Sequence, residues 1–173
     1  FAVNRIDNRK VADLWVINSL ANPRPRLETY RYGMPGEENQ TQFELHVFDI
    51  AVKKPVKVKT EAFKDQQMGL VTAPTTNLQR EKGEAASRWI TMSGDKVYFN
   101  RTSRDLKRID IVEADTTTGE SRVVIPERSN TYIELQPLRF IDGGKQMIHW
   151  SERDGWGHYY LYDSSGKLIR QIT

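Results

Sequence analysis

Trp89-Ile90-Thr91-Met92-Ser93-Gly94-Asp95-Lys96 and Leu138-Arg139-Phe140-Ile141-Asp142-Gly143-Gly144-Lys145 decide the fold. Each is a short apolar run that enters a glycine turn, and Lys145 stands 49 residues after Lys96. The correspondence continues outward. Val97 to Asn100 and Gln146 to Trp150 read as the next strands, and Arg104-Asp105 recurs as Arg153-Asp154. Ile109 to Asp115 matches Gly157 to Asp163. Asp115 to Gly119 then turns into Ser121 to Ile125, as Asp163 to Gly166 turns into Leu168 to Ile172. Asp, Ser, Thr and Gly suit such hairpin turns because they tolerate left-handed or self-bonded backbone.

A third copy opens the chain. Val3-Asn4-Arg5 resembles Phe99-Asn100-Arg101, 96 residues later. Its closing hairpin is Phe43 to Asp49 followed by Pro55 to Lys59. The units run over about 1–60, 87–126 and 138–173, with an insertion at about 10–42 and an irregular linker at about 61–86. Short strands repeating at this period are the mark of β-propeller blades, of which a closed ring has roughly four to eight. The expected fold is therefore all-β: a partial propeller of about three four-stranded antiparallel blades, with a hairpin arm inserted in the first. Helix signals are weak: Asn77 to Lys82 suits one turn, and the β-branched and aromatic content of Val11 to Ile17 favours a strand. Leu27 to Tyr32, returning through Thr41 to Val47, is the expected two-stranded arm, with Met34 to Asn39 as its tip.

Composition narrows the function. The chain has 173 residues, 38% of them hydrophobic, and no cysteine, so no disulfide or thiolate metal site is available. No apolar run approaches the roughly 18 residues that a membrane helix needs, and Phe1 to Arg5 does not resemble a signal peptide. The 26 basic and 23 acidic residues are interspersed. The alternating lysines of Pro55 to Lys59 read as the solvent face of a strand, not as a nucleic-acid surface.

Catalytic patterns are missing from the sequence. No serine lies in Gly-x-Ser-x-Gly; Ser93-Gly94 and Ser165-Gly166 are turn residues. His46, His149 and His158 lack the spacing of a helical zinc site, although His149 and His158 flank one hairpin and are candidates to approach across it. Glu37-Glu38 sits in a turn where charges are usually solvated, and Asp142-Gly143-Gly144 lacks the spaced oxygen ligands of a calcium loop. Neither a metal nor a cofactor is expected. Trp150, Trp156, Tyr159, Tyr160 and Tyr162 read as packing between blades or strand pairs.

The run Ser151 to Asp163 with Gly166 to Thr173 resembles late propeller blades of the dipeptidyl peptidase IV family. Asp13 to Ile17, Pro23 to Tyr32 and Pro35-Gly36-Glu37 resemble bacterial members across the inserted arm. The resemblance implies a non-catalytic piece of an N-terminal propeller, whose parent also has an α/β-hydrolase domain with a Ser-Asp-His triad outside these residues. Such a parent releases Xaa-Pro or Xaa-Ala dipeptides from peptide amino termini, in the periplasm or outside the cell. The propeller gates and orients the substrate. The family's amine-gripping Glu-Glu pair lies upstream of the matched portion, so Glu37-Glu38 does not inherit that role.

The resemblance makes Tyr132 and Glu134, in Asn130 to Leu135, candidates for the substrate-cavity wall. It makes the arm, with Tyr32, Met34, Pro35, Glu37 and Glu38, a candidate homodimer contact. Expected partners are a peptide substrate, a second copy and the parent's own hydrolase domain. A standalone propeller serving as a protein-binding scaffold is the alternative. An excised segment would expose strand edges and self-associate.

Overall fold

Alternating apolar positions broken by polar turns give antiparallel strands, and the computed structural model contains thirteen of them among its described residues. The structure describes residues 1–61, 63, 65–72 and 93–173. The strands are β1 (Ala2–Asp7), β2 (Asp13–Asn18), β3 (Arg26–Arg31), β4 (Gln42–Asp49), β5 (Lys54–Lys57), β6 (Gln67–Leu70) and β7 (Lys96–Thr102). They continue as β8 (Arg108–Asp115), β9 (Ser121–Arg128), β10 (Arg139–Ile141), β11 (Gln146–Ser151), β12 (His158–Asp163) and β13 (Leu168–Gln171). Three sheets follow one another, ordered β1-β4-β5, β6-β7-β8-β9 and β10-β11-β12-β13, and β2-β3 forms a separate hairpin.

The second sheet is buried on both faces. Val97 and Phe99 of β7, with Val112 and Ala114 of β8, pack against Leu45 and Val47 of the first sheet. Tyr98 and Ile111, one residue out of phase, pack against Met147, Tyr160 and Tyr162 of the third. The period of two thus sends alternate side chains into two cores, as stacked blades require. Tyr160 and Tyr162 lie in that packing as expected, whereas Trp156 stands in solvent.

One junction occurs twice. The turn after β8 brings Gly119 at φ +74° against the first sheet, where Lys59 N–H donates to the Gly119 carbonyl at 2.7 Å. The turn after β12 brings Gly166 at φ +90° against the second sheet. A Cβ would collide with the Lys57 carbonyl oxygen at the first position and the Val124 carbonyl oxygen at the second. Glycine is required at both, for the left-handed backbone and for the close approach. Arg122 reinforces the second junction by donating to the Ser165 and Ser164 carbonyls at 2.6 and 3.0 Å.

The structure corrects several expectations. β3 pairs with β2, register Asp13↔Arg31 to Asn18↔Arg26, and β4 pairs with β1. The arm is therefore β2-β3, and Met34 to Asn39 lies at its base. Two neighbouring six-residue strands pair with each other before either meets a distant one. Among the described residues the first sheet has three strands, and the second and third have the expected four. β6 falls in the stretch read as irregular: Gln67-Met68-Gly69-Leu70 gives only four residues of pattern, interrupted by glycine, and Met68 joins the core only through tertiary contact. The expected strand at Trp89 to Met92 and the turn at Asn77 to Lys82 lie outside the described residues. His149 faces Tyr160 and His158 faces Ser151, so the ladder does not pair the two histidines.

Candidate functional site

In the second and third sheets the tight turns 115–120 and 163–167 occupy one end of the strands, and the longer loops gather at the other. This loop end carries the turn 103–107, the segment 129–138, the loop 152–157 and the base of the arm. Segment 129–138 is fixed against its neighbour by Ser129 N–H to Lys107 O at 3.0 Å and Ile133 N–H to Leu106 O at 2.9 Å.

Tyr132 and Glu134 come together there, on one cleft that also includes Glu127, Arg128, His149 and Arg153. Tyr132 is 58% exposed. The cleft floor is a buried polar network. Glu127 accepts from Ser151 Oγ at 2.6 Å and from Arg153 Nη2 at 2.5 Å. Arg153 also donates to the Tyr162 hydroxyl, and its guanidinium stacks 4.6 Å from the Tyr160 ring centroid. Burial is the main cause raising the Tyr162 hydroxyl to about 12. His149 is buried, with Nε2 at 3.8 Å from Glu127 Oε1, beyond hydrogen-bonding reach. Desolvation first, and then Arg153, lowers its pKa to about 4, so the ring is neutral at pH 7.

A second network backs the first. Asp110 is fully buried and holds Arg101 Nη2 at 2.9 Å, Arg128 Nη2 at 2.6 Å and Arg108 Nη2 at 3.3 Å. Arg101 is 2% exposed and donates Nη1 to the Glu61 carbonyl at 2.5 Å, which ties the connection ahead of β6 to the second sheet. Arg108 stacks 4.4 Å from the Phe63 centroid. A carboxylate among three guanidiniums can fix Arg128 beside Glu127, so the cleft wall is positioned by charge as well as by packing.

The arm residues lie elsewhere. Arg104 Nη1 donates to Gly33 O at 2.7 Å and Gln40 Oε1 at 3.0 Å, and its guanidinium lies 5.8 Å from the Tyr32 ring centroid. This clasp holds the arm's base to the turn after β7. Glu37 Oε2 accepts from Met34 N–H at 2.9 Å, whereas Met34, Pro35 and Glu38 are exposed. Glu37-Glu38 is thus not a paired acid aimed at one ligand. Among the described residues, no three His, Cys, Asp or Glu side chains gather where they could hold a metal ion, and no helix is long and apolar enough to cross a membrane.

Sequence reasoning missed Glu127, Arg153, Asp110, Arg101 and Arg104, and it weighed His149 only as a metal ligand. A signal was present for two of them: Arg101 and Asp110 sit inside strands otherwise rich in buried residues. A charge there must be paired.

A family model of the dipeptidyl peptidase IV N-terminal region matches residues 1–173. The crystal structure of Porphyromonas gingivalis dipeptidyl peptidase 4 superposes on 99% of this chain with a TM-score of 0.72 and 22% sequence identity. The chain spans 22% of the length of that protein. That likeness concerns the fold, and it agrees with the stacked sheets of a partial propeller. Matched over its entire length, the chain belongs to the dipeptidyl peptidase IV N-terminal region family.

Proposed function

We propose that this chain is the non-catalytic propeller segment of a serine-type peptidase that releases Xaa-Pro and Xaa-Ala dipeptides from peptide amino termini. In this reading a C-terminal α/β-hydrolase domain of the full protein supplies the Ser-Asp-His triad, in the periplasm or outside the cell. Tyr132 and Glu134 face the substrate, and the inserted arm meets a second copy. The observation that carries the reading is the loop-end cleft. Tyr132 and Glu134 line it without a side-chain hydrogen bond to the described residues, above the anchored floor of Glu127 and Arg153. Such a wall can orient a peptide by stacking and hydrogen bonding while the chemistry occurs on another domain.

The test is hydrolysis of chromogenic Xaa-Pro substrates by the full-length protein, its Tyr132→Ala and Glu134→Gln variants, and residues 1–173 alone. Cleavage by the full-length protein, a several-fold rise in KM in the variants and no cleavage by residues 1–173 are expected. No cleavage by the full-length protein would replace this reading with the binding scaffold. For the arm, the full-length protein is expected to have dimer mass, lost when the exposed Trp15 and Ile17 are both replaced by serine.

A further inference from the structure

We infer that Arg104 is a positioning residue for the cleft wall that carries Tyr132 and Glu134. It acts through the turn 103–107, which holds the arm's base and this wall as one unit. For its effect on catalysis this role rests on the reading of the wall as a substrate contact; the link itself stands on contacts alone.

The wall depends on the turn. Between Ser129 and Pro137 the chain has no regular secondary structure, so a few bonds set its place. Its backbone hydrogen bonds among the described residues both go to the turn, from Ser129 N–H to the Lys107 carbonyl at 3.0 Å and from Ile133 N–H to the Leu106 carbonyl at 2.9 Å. Tyr132 and Glu134 flank Ile133 in sequence. A displacement of the Leu106 carbonyl therefore carries both side chains with it, and small displacements of substrate-positioning groups are costly.

The turn in turn depends on the arm. Its own bonds make it stiff: Ser103 N–H donates to Arg108 O at 2.9 Å, Leu106 N–H to Ser103 O at 3.0 Å, and Asp105 Oδ1 accepts from Ser103 Oγ at 2.6 Å and Lys107 N–H at 3.1 Å. Leu106 nevertheless stands at φ +58°. Left-handed backbone is unfavourable for a residue with a β-carbon and persists where the surroundings hold it. Those surroundings are the wall on one side and the arm on the other. Arg104 makes the second hold, with Nη1 on Gly33 O at 2.7 Å and Gln40 Oε1 at 3.0 Å and its guanidinium 5.8 Å from the Tyr32 ring centroid. Gly33 leaves room for this clasp, because a Cβ there would collide with Gln40 Oε1. Bonds from a guanidinium are among the stronger hydrogen bonds, so one side chain suffices to join two segments far apart in the chain. The contacts run without a gap from Tyr32 through Arg104 and Leu106 to Ile133, as coupling between separate regions requires.

Amide hydrogen exchange of the full-length protein reads the link without any turnover. In Arg104→Ala the Ser129 and Ile133 amides are expected to exchange about tenfold faster, the scale of one lost charge-assisted bond, while the amides of β11 keep their wild-type rates. Arg104→Lys retains a cation that can donate to Gly33 O and is expected to restore most of the protection. Unchanged exchange at Ile133 in Arg104→Ala would overturn the inference. Equal acceleration in β11 would do so too, by showing a general loss of stability. Hydrolysis of a chromogenic Xaa-Pro substrate then reads the effect on catalysis: Arg104→Ala is expected to raise KM several-fold with kcat retained, and Arg104→Lys to reverse most of that rise. Faster exchange at Ile133 with KM unchanged upholds the link and counts instead against Tyr132 and Glu134 as substrate contacts.

Discussion

The seam between the second and third sheets and the β2-β3 arm are both made of short antiparallel strands with apolar side chains, yet their surroundings are opposite. In the seam, Ile111, Ile125, Met147 and Tyr160 are all buried and interdigitate. In the arm, Trp15 is 66% exposed, Ile17 71% and Leu20 93%. Cross-strand pairing suffices to align β2 with β3, but a two-stranded ribbon has no opposing layer in which to bury a face. The seam shows what a blade becomes when it has a neighbour. The arm shows the same chemistry without a neighbour, which is the physical basis for proposing that it meets a second copy.

The sharpest way to break the comparison is to disturb what the seam cannot lose. Asp110→Ala leaves Arg101 buried without its carboxylate and is expected to cost about 3–5 kcal/mol in chemical denaturation. A loss below about 1 kcal/mol would mean that this network is solvated and does not support the cleft.

The pH dependence tests the same region through His149. Its folded pKa, about 4, lies below the ordinary 6.5. Between those values the unfolded chain binds the extra proton, so stability rises with pH across this window. The contribution is fully present above pH 6.5 and is lost as pH falls through 4, and it amounts to about 3 kcal/mol. His149→Gln is expected to flatten the stability profile between pH 4 and 6.5, as followed by urea midpoints; an unchanged slope would place the ring in water.

Gly166→Ala is expected to cost about 2 kcal/mol, from a left-handed backbone and the collision with Val124 O. The same substitution at Gly36, also at positive φ but with open space around it, should cost less. Comparing the two midpoints separates strain from close approach. At the other extreme, Trp15→Ser with Ile17→Ser should change the stability of the dissociated protein by no more than about 0.5 kcal/mol, while altering its assembly state. A large loss of stability would show that the arm is packed, and would erase the contrast with the seam.

The repeat was legible because it is local. Asp115 to Gly119 and Asp163 to Gly166 announce hairpins by residue type, and Val97 to Asn100 and Gln146 to Trp150 announce strands by alternation. From these follow the all-β class, the blade period and the correspondence of β1 with β7, since such features depend on a few neighbours in the chain. Tertiary structure decided the remainder. Which strand pairs with β3, whether Gln67 to Leu70 joins a sheet, and where Glu127, Arg153 and His149 converge depend on partners distant in sequence. Tyr132 and Glu134 could be singled out from the sequence, but their cleft could not. Its floor comes from β9, β11 and the loop after β11, and only the stacking of two blades brings those segments within hydrogen-bonding distance. Alternation is written residue by residue, whereas burial and charge pairing arise only when separate sheets meet.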